Sequence, residues 1–93
     1  MRERELEQKL LQSAKRMGGI CPKWVSPGLD GVPDRIILLP GGRIGFAEVK
    51  APGKKMRPLQ KKRKAKLESL GFLVFCIDKE EQILEVLHEI QSS

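Results

Sequence analysis

Apolar side chains recur at Leu6, Leu10, Leu11, Ala14 and Met17, the spacing of one helix face, and Gly18-Gly19 ends the run. This predicts a helix over residues 3–17. Ile20 to Val25 follows as a short strand candidate. The next segment, Ser26 to Pro33, holds two glycines and two prolines, which disfavours regular structure. Asp34 to Leu39 and Arg43 to Ala51 are β-rich runs joined by Pro40-Gly41-Gly42, so they form a hairpin. Pro58 suits the first turn of a helix reaching about Leu70, with Gly71 as its C-terminal cap. Phe72 to Ile77 is continuously apolar, as a strand covered on both faces would be. Asp78 followed by Glu81 gives a capping-box-like start to a last helix. Ile83, Val86, Leu87 and Ile90 form its stripe, with His88 at the surface or boundary. The order helix, three strands, helix, strand, helix predicts an α/β fold around a small mixed sheet.

Length fits this to a single domain over residues 1–93, because a chain of 93 residues buries only roughly 60 to 65% of its extended surface and cannot divide into two cores. Cys21 and Cys76 lie far apart in apolar runs, where free thiols behave as small hydrophobes. Neither has C-x-x-C spacing, and the single His88 completes no metal set with them. The charged start, MRERELEQ, does not read as a signal peptide, and no apolar run approaches the roughly 18 residues of a membrane span. A cytoplasmic protein without membrane contact is expected.

Charge changes the picture more. The formal net charge is +6, yet residues 50–66 hold nine basic side chains and no acid, while the rest of the chain carries nine bases against twelve acids. A basic segment on a slightly acidic body points to a local polyanion contact. A lysine-rich solvated helix is the ordinary explanation of such a run. Here Leu59, Leu67 and Leu70 give the helix an anchoring edge and leave Lys61, Lys62 and Lys64 outward, together with Lys54, Lys55 and Arg57 ahead of it, so phosphate contact is the better reading.

The carboxylates add chemistry. In the alternation of a strand Ile44, Phe46, Glu48 and Lys50 share one face, with Glu48 and Lys50 about 7 Å apart along the chain. A hairpin closed at residues 40–42 brings Asp34, at the start of one strand, beside Glu48, near the end of the other. Two carboxylates held together repel unless a positive charge lies between them. An oxygen-liganded divalent cation, Mg²⁺ or Mn²⁺, is the natural partner. On the first helix Glu3 and Glu7 fall inside the apolar sector, near 60° and 100° from Leu6 at about 100° per residue, and Glu5 points away. Favourable interaction with the helix dipole accounts for Glu3; Glu7, a turn further in, is the candidate third carboxylate. Taken singly, Asp34 reads as a turn cap, Glu48 with Lys50 as an ordinary ion pair, and Trp24 as packing.

The ordered set Gly31-Val32-Pro33-Asp34-Arg35, Leu39-Pro40-Gly41-Gly42, Glu48-Val49-Lys50-Ala51-Pro52-Gly53-Lys54, Leu59-Gln60 and Leu70-Gly71-Phe72 resembles the PD-(D/E)xK nuclease superfamily, and within it a stand-alone VRR-NUC domain, over nearly the whole chain. The resemblance implies a restriction-endonuclease-like core. It implies that Asp34, Glu48 and the Val49 carbonyl bind metal, that Glu7 or, less well, Glu3 is the first-helix acid, that Lys50 orients the attacking water and offsets charge, and that Gln60 orients water or phosphate. The implied activity is metal-dependent DNA endonuclease action that leaves 5′-phosphate and 3′-hydroxyl ends. The implied substrate is branched DNA such as a four-way junction, cut by a homodimer whose interface draws on the apolar stretches of residues 72–90. No recognition domain is expected, so targeting falls to the domain or a partner. A nicking or restriction-like nuclease on linear duplex is the alternative enzyme. A non-catalytic nucleic-acid-binding module is the alternative outside enzymes.

Overall fold

The computed structural model describes residues 1–93 as three helices and a three-stranded sheet: α1 (Glu3–Arg16), β1 (Arg35–Leu39), β2 (Arg43–Val49), α2 (Pro58–Ser69), β3 (Leu73–Ile77) and α3 (Gln82–Ser92). The sheet order is β1-β2-β3, antiparallel across the hairpin and parallel between β2 and β3, so the expected mixed sheet is present. α2 supplies the crossover that a parallel pair requires.

β2 is the central strand and is buried from Gly45 to Val49. Its alternation divides the molecule into layers. Ala47 and Val49, with Ile37, Leu39 and Ile77, meet the apolar stripes of α1 and α3 in the main core. Phe46, with Val74, meets Leu67 of α2 in a smaller cluster, and Trp24 and Ile36 pack against it. Gly45 lets α3 approach: a Cβ there would stand 2.4 Å from Ile90 Cδ1.

Four local expectations change. Residues 20–25 make only two isolated antiparallel bridges to β1, Ile20 to Leu38 and Lys23 to Arg35. Pro22 accepts a hydrogen bond from Ile36 N at 2.9 Å but has no N–H to return, so the ladder is broken at its middle. β3 is covered on both faces as expected, Val74 under α2 and Ile77 in the main core, although it is an edge strand. α3 begins at Gln82 without a side-chain cap from Asp78; instead the Gln82 Oε1 accepts from the Asp78 and Lys79 backbone N–H groups at 2.8 and 3.1 Å. On α2 the inward residues are Gln60 and Leu67, while Leu59 is 46% and Leu70 60% exposed. The stripe Ile83, Val86, Leu87 and Ile90 is consumed by the main core, which leaves only Phe72 and Leu84 as exposed large apolar residues in the region expected to serve a dimer interface.

Candidate active site

The hairpin register places Arg35 opposite Ala47, which sets the preceding Asp34 across from Glu48 at the open end of the two strands. The Val49 backbone N–H donates to Asp34 Oδ2 at 2.9 Å, so the aspartate continues the ladder with its side chain. Its own carbonyl accepts from Trp24 N at 2.9 Å. Asp34 is thereby fixed from both sides. Pro33, fully buried, and Gly31 lead into it. Gly31 has φ of +76° and lies so close to the first turn of α2 that a Cβ would stand 2.6 Å from the Leu59 carbonyl oxygen, a position only glycine fills without strain.

Glu48 faces α2 and is 2% exposed. Its Oε2 accepts from Gln60 Nε2 at 2.9 Å and faces Lys50 Nζ at 3.2 Å. Gln60 is itself oriented by the helix it starts, since its Oε1 accepts from the Arg57 N–H at 2.8 Å, the third-position partner of a capping box. One amide thus caps α2 and holds a carboxylate. Glu48 Oε1 is buried and has no hydrogen-bond partner. Burial, and then the neighbouring Asp34 charge, push the Glu48 carboxyl up to about 7 against the opposing pull of Lys50. An orphaned carboxylate oxygen beside a second carboxylate is costly as it stands and suits a cation.

Glu7 sits differently. Arg35, the residue after Asp34, points to the α1 layer, where its Nη2 pairs with Glu7 Oε2 at 2.5 Å, its Nε donates to the same oxygen at 3.2 Å, and its Nη1 donates to the Cys21 carbonyl at 3.1 Å. Glu7 and Asp34 line one small cavity, but no group of three His, Cys, Asp or Glu side chains is assembled to hold a metal. Glu3 is exposed and makes no hydrogen bond with the site. Arg35 is the residue sequence reasoning passed over. Its signal was available: Arg35, Ile37 and Leu39 alternate on one face, so an arginine opens an inward-facing apolar row and needs a buried partner.

Of the basic residues, Lys54, Lys55, Arg57, Lys61 and Lys62 are exposed, whereas Lys64 is half-buried and pairs with Glu68 at 2.9 Å. Arg63 Nε donates to the Asp30 carbonyl at 2.9 Å and docks the 26–33 loop on α2. Trp24 is packed on Phe46 with ring centroids 5.0 Å apart. Cys21 is a free buried thiol pushed up to about 11 by burial, and Cys76, beside Glu48 in the β2–β3 register, is raised for the same reason.

A mixed sheet carrying a hairpin aspartate, a glutamate and a lysine two residues beyond it, crossed by a helix whose glutamine grips the glutamate, is the core of the PD-(D/E)xK class. No family model matches the sequence. It is 44% identical over 81 residues, 87% of each chain, to "Putative nuclease p44" of Acyrthosiphon pisum secondary endosymbiont phage 1. A solved VRR_NUC domain superposes with a TM-score of 0.86, covering 92% of this chain and 94% of that one at 26% identity. The chain belongs to the VRR-NUC nuclease family.

Proposed function

We propose that the protein is a divalent-cation-dependent DNA endonuclease, selective for branched substrates such as four-way junctions, acting in the cytoplasm as a homodimer of one nuclease unit per chain. The observation that carries the reading is the buried, unpartnered Glu48 Oε1 beside Asp34. The donor set fits Mg²⁺ or Mn²⁺: two carboxylates and the Val49 carbonyl, all oxygen, with Glu7 as a further carboxylate once Arg35 shares it. Such a cation, when bound, offsets the charge that gathers on a phosphodiester during hydrolysis and makes water more acidic. No helix is long and apolar enough to cross a membrane.

The chain's own residues do the rest. Water oxygen bonds to phosphorus as the bond from phosphorus to the 3′ oxygen breaks. The water's proton leaves to solvent and the 3′ oxygen takes one up, giving 5′-phosphate and 3′-hydroxyl ends. Lys50, held by Glu48, orients the water and stabilises the non-bridging oxygens; a protonated ammonium is a donor, not a base. Gln60 keeps Glu48 turned toward the site. Lys54, Lys55, Arg57, Lys61 and Lys64 lead the backbone across α2 toward Lys50, with Lys64 contributing least because Glu68 already neutralises it.

The test is cleavage of labelled four-way junction, splayed and linear duplex DNA with Mg²⁺, Mn²⁺ or chelator. Asp34→Asn and Lys50→Ala should each slow cleavage by about 100-fold or more, because each removes a group acting on the transition state. Cleavage that survives both substitutions, or that proceeds unchanged in chelator, would sink the assignment. Salt-sensitive binding without cleavage of any substrate would identify a binding module, and equal cleavage of linear duplex would identify the nicking alternative.

A further inference from the structure

The most exposed large apolar residue of the chain stands next to the site. Val25, 79% exposed, lies two residues beyond Lys23, which bridges to Arg35, and directly after Trp24, whose N–H donates to the Asp34 carbonyl at 2.9 Å. Trp24 is packed on Phe46, so it serves as a rigid post and presents Val25 outward. Across from this post run Val32, Pro33 and Asp34. Between the two walls lies a cavity of about 170 Å³, lined also by Lys23 and by Glu7, whose charge Arg35 holds. That volume falls below the ~300 Å³ at which sites for larger organic ligands begin, and suits one planar ring.

We propose that this cleft is a nucleobase subsite, which receives the base of the nucleotide next to the scissile phosphate after that nucleotide has left the stack. Val25 and Val32 lie against the ring, and Lys23 meets the flanking phosphate. The inference rests on the reading that Asp34 marks the scissile phosphate. It gives that reading a source of structural selectivity built into the domain: a nucleotide at a branch or bulge is already unstacked, whereas one inside a continuous duplex must first be pulled out. An apolar side chain is the right tool because it contacts the face of any base and reads no sequence. The wall is also stiff, since Arg63 and Gly31 dock the loop after Val25 onto α2 and the bond from Trp24 to Asp34 ties the segment before it to the hairpin.

The experiment uses a four-way junction with 2-aminopurine at the branch, and a linear duplex of the same sequence, bound by the full chain in chelator and then cleaved with Mg²⁺. Wild type is expected to raise 2-aminopurine fluorescence on the junction and to prefer the junction in cleavage. Val25→Asp, at an exposed position and with an unchanged melting temperature, should abolish the fluorescence rise and reduce the preference for junction over linear duplex by about tenfold, the scale of one lost base contact. Ile20→Asp, 61% exposed and bridged to Leu38 at the end of β1 far from Asp34, serves as the surface control and should do neither. A fluorescence rise and a preference that ignore Val25 would overturn the subsite while leaving nuclease activity intact. A Val25-dependent fluorescence rise in a protein that cleaves nothing would support the subsite and overturn the nuclease reading.

Discussion

The two faces of the sheet are built from different materials. Behind it, Cys21 and twelve buried side chains from α1, α3 and all three strands form one apolar cluster; in front, under α2, only Phe46, Leu67 and Val74 are buried together, and the space beside them is taken by Glu48 and Gln60. Stability and chemistry are therefore segregated. The rear layer carries the hydrophobic burial that makes a 93-residue chain fold, which frees the front to hold a carboxylate in a place where it is poorly solvated. The α2 helix has no continuous apolar stripe and is held by Leu67, by the bond between Gln60 and Glu48, and by Arg63 on the Asp30 carbonyl.

The sharpest way to break this comparison is to cut a methyl-rich side chain from each layer. Leu10 is fully buried in the rear core, and Leu10→Ala should cost roughly 2–5 kcal/mol, enough to unfold much of a marginal population. Leu67→Ala, at the edge of the three-residue front cluster, should cost clearly less because the thin layer can collapse around the gap. Denaturant midpoints for the two variants decide it, and equal losses would mean that α2 is as much a part of the core as α1.

A second contrast lies in pH. Glu48 titrates near 7 in the folded protein against 4.5 for an ordinary glutamate, because burial and Asp34 oppose its charge. Between those values the folded state holds a proton that the unfolded chain has released. The group's stabilising contribution is thus complete below about pH 4.5 and is lost as pH rises through 7. In chelator, wild type should lose up to about 3 kcal/mol relative to Glu48→Gln over that span, and at pH 8 the variant should be the more stable of the two. Comparison of the paired profiles cancels the other carboxylates. Added Mg²⁺ should restore wild type and leave Glu48→Gln largely unmoved; parallel profiles would mean the front face bears no strain from its carboxylate.

These two layers were not equally legible from the sequence. The rear helices declared themselves through periodic apolar residues, and the hairpin through Pro40-Gly41-Gly42, whose closure fixes the register and therefore puts Asp34 across from Glu48. Alternation also gave Glu48 and Lys50 a common face, borne out by their ion pair. The rotation of α2 was not readable from apolar spacing, because a polar residue, Gln60, takes the inward position that Leu59 was expected to share, and its reason for doing so sits twelve residues away in Glu48. The strand expected at residues 20–25 failed on Pro22, whose missing N–H only matters once the partner strand is known. Continuous apolar character in β3 marks a strand covered on both faces, with Val74 under α2 and Ile77 in the rear core, but it does not distinguish an edge strand from the central one, which is β2, buried from Gly45 to Val49.

The smallest expected effect tests the outer surface of the front layer. Lys61 and Lys62 are exposed and make no ion pair with an acid, while Lys64 is half-buried and held by Glu68. Each free lysine that meets a phosphate releases condensed counterion, so each removed contact should lower the slope of log affinity against log salt by about 0.9 on duplex DNA. Lys61→Gln with Lys62→Gln should therefore flatten the slope by nearly two and weaken binding to all sequences alike, with stability unchanged because surface lysines add little to folding. Lys64→Gln should flatten it less, since its charge is already shared with Glu68. Binding titrations at several salt concentrations on linear duplex distinguish the three positions. If the Lys61 and Lys62 substitutions left the slope as it was, the basic run would be a solvated surface, and the polyanion contact would have to be sought in the segment from Lys54 to Arg57, which enters the helix just above Gln60.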